Sequence, residues 1–291
     1  MSMTRPSFTK FTKPSGGTIS RWLILMIAAL YFLGPLAATI SFTLKDPNGH
    51  FSFDAYTSIF QAPATGGVSL GTALVFSIKV TLATIVVALA LMVPTQVLLN
   101  LYAPRFKPVV EVISLLPLVF PPIVLVAGVS SIYADAAPQG TDSGSLWFNV
   151  LTWIKDINHP FVLVLIYVVM ALPFVYRAIN SGIESLNLRT LVEASRNLGA
   201  SWFTTIVRVI MPALRTSMVN AAFLCFALGM GEYTVSAVLG YIQPFPVWLM
   251  QLPTTSGAEK QAISVFSLIL VEAALLIVSV LTARRIKKGQ A

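Results

Sequence analysis

The polar residues of this chain that are spaced for a shared task lie in one short stretch between two strongly apolar runs. Glu193, Ala194 and Ser195 are followed by Gly199, six residues after the glutamate, and by Pro212, thirteen residues after the glycine. A carboxylate can form ion pairs, and a glycine can turn the backbone sharply. These residue types at this spacing indicate a contact surface for another molecule rather than a catalytic centre.

The stretch 188–212 has the pattern of two short helices joined by a turn. One face of the first helix is apolar or small, whereas Arg189, Glu193 and Arg196 share the opposite face. Gly199 can end this helix in a left-handed conformation, and a second helix is expected to stop before Pro212. Docking to a partner, lying flat on lipid and mere pairing of Glu193 with a neighbouring arginine all fit this pattern. The apolar face consists of Leu188, Leu191, Val192, Ser195 and Leu198.

Catalytic and metal-binding patterns are absent from the sequence. It has no nucleophile–His–acid set, no paired carboxylates or H-E-x-x-H within its apolar runs, no G-x-x-x-x-G-K-[ST] phosphate loop and no G-x-G-x-x-G turn. His50 and His159 lie far apart without nearby ligands, and the single cysteine, Cys225, lies in an apolar run. We therefore expect no catalytic residue, no metal site and no cofactor in this chain.

Three ionisable side chains fall inside apolar runs. Lys79, Glu232 and Glu272 would each be costly in lipid, so we expect them to face the helix bundle or a watery cavity. Lys79 and Glu232 lie at the same depth, about 12 Å from the outer ends of their runs. They could pair as a structural clamp, or Glu232 could attract a cationic substrate. Glu272 lies nearer the midplane, where it could pack against a polar partner or line a pathway.

Composition requires a bilayer to solvate most of the chain. The 291 residues are 56% hydrophobic and 10% charged, which excludes a soluble enzyme. The net charge of +8 is spread over the flanks of apolar runs without a basic, aromatic stripe, so no nucleic acid partner is expected.

Six runs are long enough to cross a membrane, for which about 20 residues are needed. They are 22–42, 72–93, 109–133, 161–179, 217–240 and 262–283. We expect an all-α membrane protein with six transmembrane helices and a helix-turn-helix between spans four and five. Its parts would be an N-terminal arm (1–21), the six-span domain (22–283) and a basic tail (284–291).

The basic residues predict the orientation of these spans. With the N-terminus inside, fifteen Lys and Arg residues lie in cytoplasmic segments and three lie in outside loops. Both termini and the stretch 188–212 are then cytoplasmic, within reach of a cytosolic ATPase. The outside segment 134–160 is rich in turn residues and could dock an extracytoplasmic protein or simply connect two spans.

The spacing in 193–212 resembles the EAA loop of the membrane-spanning subunits of ATP-binding-cassette (ABC) importers. The family pattern is Glu-Ala-Ala, three residues, Gly and then Ile-x-Leu-Pro. This sequence departs from it at Ser195, which replaces the second alanine. It departs again at 209–212, where Val-Ile-Met-Pro stands in for Ile-x-Leu-Pro. Weaker likenesses to the permeases of this family occur at 51–56, 115–122, 172–174 and 231–233.

The resemblance implies a permease subunit of a type I ABC importer in a prokaryotic plasma membrane. Glu193, Ala194, Ser195, Gly199 and Pro212 would form the loop that couples to an ATP-hydrolysing subunit, and ATP and Mg²⁺ would bind to that separate chain. The other implied partners are a second permease subunit, identical or homologous, an extracytoplasmic solute-binding protein and membrane lipid. The spermidine/putrescine branch is the most similar, with iron, sulfate, molybdate and phosphonate permeases as alternatives.

Two other classes of protein fit the sequence less well. An ATP-independent secondary transporter or channel would use 188–212 only as a loop, but such proteins often carry paired repeats that this sequence lacks. A membrane-anchored scaffold or enzyme would need a sizeable soluble domain. Pro117, Pro121 and Pro122 remove backbone donors from the third run, which predicts either a broken helix beside a pathway or a kinked structural helix.

Overall fold

Helices make up the regular secondary structure of the described chain, as a bilayer requires of such apolar runs. The computed structural model describes residues 17–45, 48–57, 67–136, 149–150, 153, 156, 160–251, 258, 261–269, 272–273 and 276. Within these ranges no strand forms, and a single-residue bridge joins Lys45 to Phe51. The all-α expectation is thus confirmed for this part of the chain.

The helices belong to two compact units, with α1 and α2 in the first and α3 to α12 in the second. In chain order the helices are α1 (Gly17–Thr43), α2 (Asp54–Thr57), α3 (Leu70–Tyr102), α4 (Lys107–Val119), α5 (Pro122–Ala136), α6 (Phe161–Glu184), α7 (Leu188–Asn197), α8 (Trp202–Thr205), α9 (Met211–Ala213), α10 (Arg215–Gly231), α11 (Thr234–Val238) and α12 (Phe245–Gln251). A 3₁₀ turn occupies Pro104–Phe106, and a π-helical turn occupies Ile206–Ile210.

The first unit contains the first predicted span and the corner that follows it. α1 is 27 residues long, and its most apolar window has no buried residue, which leaves that surface for lipid or another chain. After it, the Thr43 hydroxyl is hydrogen-bonded to the Tyr56 hydroxyl at 2.7 Å, and the Ser52 N–H donates to the Leu44 carbonyl. These bonds close the corner into a folded element.

Helices α3, α6 and α10 form the centre of the second unit. Of the two longest helices in this unit, α6 is more buried than α3. In the most apolar window of each helix, 61% of the α6 residues and 28% of the α3 residues are buried. Glycines bring the backbones close: a Cβ on Gly182 would lie 2.7 Å from the Ser217 Cβ, and one on Gly229 would lie 2.6 Å from the Thr81 Oγ1. Such small-residue contacts are how helices pack in lipid, where the hydrophobic effect between them is weak.

The remaining helices of the second unit surround this centre. α4 and α5 pack on α6, α5 also packs on α11, and α12 packs on α3. Polar contacts hold α12 in place: Trp248 Nε1 donates to the Val68 carbonyl at 2.9 Å, and the Phe245 N–H donates to Ser77 Oγ at 2.7 Å.

Among the described residues, three to five stretches could cross a membrane, so the prediction of exactly six spans is not confirmed. α1, α3 and α6 are long and apolar enough, and the number rises to five if each of two bent helix pairs counts as one span. The pairs are 104–119 with 122–132, bent by 92°, and 202–213 with 215–231, bent by 79°. The chain is thus multi-pass, and half of the sixth predicted run, 262–283, lies outside the described residues.

Two of the predicted spans are not single straight helices. The run 109–133 breaks at Phe120 and Pro121, because consecutive prolines supply no N–H to continue the ladder of α4. The helix is therefore broken, and its place beside a pathway stays a prediction. The run 217–240 ends as a helix at Gly231, and Glu232 has extended backbone with ψ 115°. Most of 1–21 and 134–160, and all of 284–291, lie outside the described residues.

Candidate functional site

The stretch predicted as two helices and a turn has that structure, and we call residues 188–213 the hairpin. Its first helix, α7, begins after Asn187, whose side-chain oxygen accepts from the Thr190 N–H. Leu188, Val192 and Ser195 are buried, as the amphipathic pattern predicted. This buried face packs on α3 and on the π-helical turn, so α7 is held against the membrane helices.

Gly199 turns the chain between the two arms of the hairpin. Its φ is +80°, in the left-handed region that the sequence predicted for it. The Gly199 N–H donates to the Arg196 carbonyl, and the Ala200 N–H donates to the Ser195 carbonyl. These two bonds form a Schellman motif, which satisfies carbonyls at the end of α7 and fixes the direction of the next segment.

The second arm runs farther than the sequence predicted. Ser201 caps it by accepting from the Thr204 N–H, and helical backbone then continues through α8, the π-helical turn and α9 to Ala213. The prediction that it stops before Pro212 is wrong. In the π-helical turn the Met211 N–H reaches back to the Ile206 carbonyl, and this wider ring allows proline to follow within the arm. The 79° bend then comes at Leu214.

A buried hydroxyl pair joins the two arms. Ser195 Oγ and Thr205 Oγ1 are 2.9 Å apart, and the two residues are 7% and 0% exposed. Arg196 adds a second link, because its Nη1 donates to the Ala200 carbonyl at 2.9 Å and its guanidinium lies over the Trp202 ring. The serine that departs from the EAA pattern therefore has a bonding partner.

The outer surface of the hairpin carries one ion pair and two exposed apolar side chains. Arg189 Nε donates to Glu193 Oε1 at 2.8 Å, and both side chains are exposed. Leu198 is 88% exposed and Phe203 is 77% exposed. Placing Leu198 on the buried face was wrong, because α7 ends at Asn197 and helical periodicity no longer applies. The sequence did not lead us to expect a role for Phe203. A large aromatic residue in the first turn of a helix that Ser201 can cap was nevertheless a usable signal.

A second polar region lies where α10 ends, and we call residues 232–243 the junction. Glu232 Oε1 accepts from the Val235 N–H at 3.2 Å, which places one carboxylate oxygen at the start of α11. Tyr167 of α6 donates to the Glu232 carbonyl, and its hydroxyl is also bonded to Ser236 Oγ at 2.8 Å. Gly240, with φ +81°, ends α11 with a second Schellman motif, in which the Tyr241 N–H donates to the Ser236 carbonyl.

The structure does not bring the three intramembrane charges together. Glu232 is buried at 8% exposure, whereas Lys79 is exposed and forms no ion pair with it. Of the two alternatives given for these residues, the Lys79–Glu232 clamp is not formed, because equal depth along two helices does not fix which face each residue occupies. Glu272 is also exposed, so the polar partner expected for it is not found among the described residues. In those same ranges no cluster of His, Cys, Asp and Glu could hold a metal ion.

Comparison with known proteins assigns this architecture. The family described as "Binding-protein-dependent transport system inner membrane component" matches residues 65–289. The chain belongs to this family. It is a membrane permease subunit of an ABC transporter and is not itself catalytic, since the ATPase is a separate chain. The family also implies a solute-binding partner.

Several curated relatives share this assignment. The spermidine/putrescine transport system permease protein PotB of Haemophilus influenzae is 24% identical over 79% of this chain and 78% of its own length. The probable sulfate transport system permease protein cysT of Nephroselmis olivacea is 30% identical over 45% of this chain and 43% of its own. The molybdenum transport system permease protein ModB of Haemophilus influenzae is 31% identical over 41% and 55%.

Proposed function

We propose that this permease subunit imports polyamines and that the hairpin is the surface through which a cytosolic ATPase drives it. The observation that carries the coupling role is the hairpin tip, where two large apolar side chains are exposed on an element whose backbone ends and hydroxyls are otherwise satisfied. An exposed apolar pair beside charged residues is what a protein-docking surface presents.

The packing of the hairpin supports a mechanical role. α7 contacts both α3 and the π-helical turn, and the second arm continues through the bend at Leu214 directly into α10. α10 in turn packs on α3 and α6. A displacement of the hairpin by a moving ATPase would therefore be passed to the three central helices, because close-packed elements shift together rather than deform.

The proposed topology has the hairpin and both termini in the cytoplasm and the corner after α1 outside. It is supported by the excess of basic residues on the hairpin side. After Cys225→Ala, a cysteine at Asp54 should react with an impermeant thiol reagent applied to intact cells, and one at Thr190 should react only after lysis. The reverse labelling pattern would overturn this orientation.

The proposed substrate is a polyamine such as putrescine or spermidine. Support comes from the PotB relative, which matches over most of both chains, and from Glu232, which is buried and forms no ion pair with any other described residue. The sulfate and molybdenum transport relatives match over shorter segments of this chain.

Reconstitution tests the proposed function. The chain would be purified with its partner permease, ATPase and binding protein, and uptake of labelled putrescine, spermidine, sulfate and molybdate into liposomes would be measured. We expect ATP-dependent uptake of the amines alone. Uptake of an oxyanion instead would overturn the substrate, and uptake that does not require ATP would overturn the coupling role.

A further inference from the structure

A cavity of about 550 Å³ lies at the end of the helix bundle that carries the hairpin. Its walls are the last residues of α3 and α6, the 3₁₀ turn with the start of α4, and α7 of the hairpin. All these elements belong to the second unit. A cavity of this size, lined by apolar side chains and a few charged ones, has the dimensions and lining of a ligand site.

Four charged side chains line this cavity, and two of them neutralise each other. Arg189 and Glu193 form an ion pair at 2.8 Å. Lys107 is half-buried and forms no ion pair with any described residue. Glu184 accepts from Asn180 Nδ2 at 2.9 Å, but within the described part of the chain it has no basic partner. One positive and one negative charge are therefore left for a ligand.

The cavity lies near the level of the lipid headgroups. α3 has 33 residues and is therefore about 50 Å long, whereas the hydrocarbon core of a bilayer is about 30 Å thick. The end of α3 that borders the cavity, at Tyr102, thus lies outside the hydrocarbon. The Tyr102 ring contacts the Trp202 ring, with centroids 5.7 Å apart, and both residue types are enriched at membrane–water interfaces.

An exposed apolar stripe leads from the cavity along α3 into the depth of the hydrocarbon. Tyr102, Leu98, Leu91 and Val87 recur on one helical face and are 66%, 44%, 52% and 39% exposed. Thr95 lies on the same face, and its hydroxyl donates to the Leu91 carbonyl at 2.6 Å, so it leaves no unsatisfied donor toward lipid. A headgroup in the cavity and an acyl chain on this stripe would belong to one lipid molecule.

Ethanolamine phospholipids carry both of the required charges in one headgroup. Their phosphate complements Lys107, and their primary ammonium offers three N–H donors to the Glu184 carboxylate. A glycerol headgroup supplies only the negative charge and leaves Glu184 without a partner. A choline headgroup supplies both charges, but its quaternary ammonium has no N–H to donate. A soluble zwitterion would satisfy both charges and leave the apolar stripe uncovered.

We propose that this cavity binds the headgroup of an ethanolamine phospholipid, with the phosphate at Lys107 and the ammonium at Glu184. The lipid comes from the membrane leaflet on the hairpin side, and the site is independent of the proposed cargo. Because α7 and the ends of α3 and α6 line the same cavity, the bound headgroup joins the hairpin to the central helices. A ligand that binds only the folded arrangement stabilises it, so this lipid should also raise the thermal stability of the complex.

Lipid binding by the purified transporter complex tests the site. The complex in detergent would be titrated with phosphatidylethanolamine, phosphatidylcholine, phosphatidylglycerol or soluble phosphoethanolamine, with bound molecules counted by native mass spectrometry and stability followed by thermal unfolding. We expect phosphatidylethanolamine to bind most tightly and to stabilise the complex most. Lys107→Gln and Glu184→Gln should each weaken its binding about fivefold, because each removes one charge-assisted contact. Lys107→Arg keeps the charge and should keep most of the binding.

Arg105→Gln and Glu111→Gln are the matched controls, because both residues are exposed, lie close to Lys107 in sequence and do not line the cavity. They should bind the lipid as the unaltered complex does. Unchanged binding in both cavity variants would overturn the site. Equal binding of phosphatidylglycerol, lowered by Lys107→Gln alone, would overturn the ethanolamine headgroup.

Two further outcomes would replace the lipid by another ligand. Full competition by phosphoethanolamine would make the ligand a soluble zwitterion. Loss of the ATPase from both cavity variants while the lipid stays bound would make the cavity part of the ATPase-docking surface. Either result would overturn the lipid site.

Discussion

The hairpin and the junction contain the same kind of glycine turn. They differ in whether their buried polar side chains have hydrogen-bond partners. Each contains a short helix that a glycine ends at φ +80° or +81°, with the same pair of Schellman bonds. In the hairpin, the buried hydroxyls of Ser195 and Thr205 satisfy each other. In the junction, Glu232 and Gln243 each keep an oxygen without a partner.

This difference separates two kinds of functional element. An element whose polar groups are satisfied internally can hold its shape and act on its surroundings through what it exposes, which in the hairpin is Leu198 and Phe203. An element that keeps buried acceptors unsatisfied is stable only because its neighbours hold it, and an added donor would stabilise it. Under the proposed function, the first element transmits force to the membrane helices.

The largest expected effect comes from Gly199→Val. Valine at a left-handed φ is strained by roughly 1–2 kcal/mol, and no surrounding packing restrains the turn, since a Cβ at this position meets no atom within 4 Å. The two arms should shift, and ATP-driven uptake should fall about tenfold or more because docking surfaces tolerate little displacement. Gly199→Asn is the matched control, because asparagine tolerates this conformation and should keep uptake near normal. Equal uptake in both variants would show that the turn geometry does not matter.

A smaller effect is expected from Gly240→Val, which places the same strain in the junction. Here Leu239 and Tyr241 on either side are buried and resist the change, so uptake should fall only several-fold. The diagnostic readout is ATPase association, which Gly240→Val should leave intact and Gly199→Val should weaken. Equal loss of ATPase binding in both variants would remove the functional distinction between the two regions.

The smallest effect concerns the hydroxyl pair of the hairpin. Ser195→Ala should destabilise the complex by about 1–3 kcal/mol, because it leaves Thr205 Oγ1 buried without a partner. Adding Thr205→Val should recover most of that loss, since both polar groups are then gone. Thermal unfolding of the two single variants and the double variant gives the coupling energy. Strictly additive losses would show that the hydroxyls do not act as a pair.

Local signals in the sequence predicted the hairpin well. The turn at Gly199, the amphipathic face of α7 and a second helix after the turn all follow from interactions within a few residues, and all are present. The end of the second arm was mispredicted because of the π-helical turn. In that turn each N–H bonds to a carbonyl one residue farther back than in an α-helix, and the periodicity of the sequence does not show this change.

The junction was much harder to predict. Hydropathy showed one apolar run through 217–240, but the helix ends at Gly231 because the Glu232 carboxylate and the Tyr167 hydroxyl can satisfy the backbone groups there. That contact joins residues 65 positions apart, which no local pattern encodes. For the same reason, depth along the spans suggested a Lys79–Glu232 pair that the packing of α3 does not form.

Photocrosslinking from the hairpin tip tests the central claim most directly. Benzoylphenylalanine would replace Leu198 or Phe203 and, as a control that is also exposed, Phe53 in the corner after α1. In transport-competent complexes, we expect crosslinks to the ATPase from positions 198 and 203 and none from position 53. If positions 198 and 203 give no ATPase crosslink although the ATPase co-purifies and uptake is normal, the hairpin is not the coupling surface.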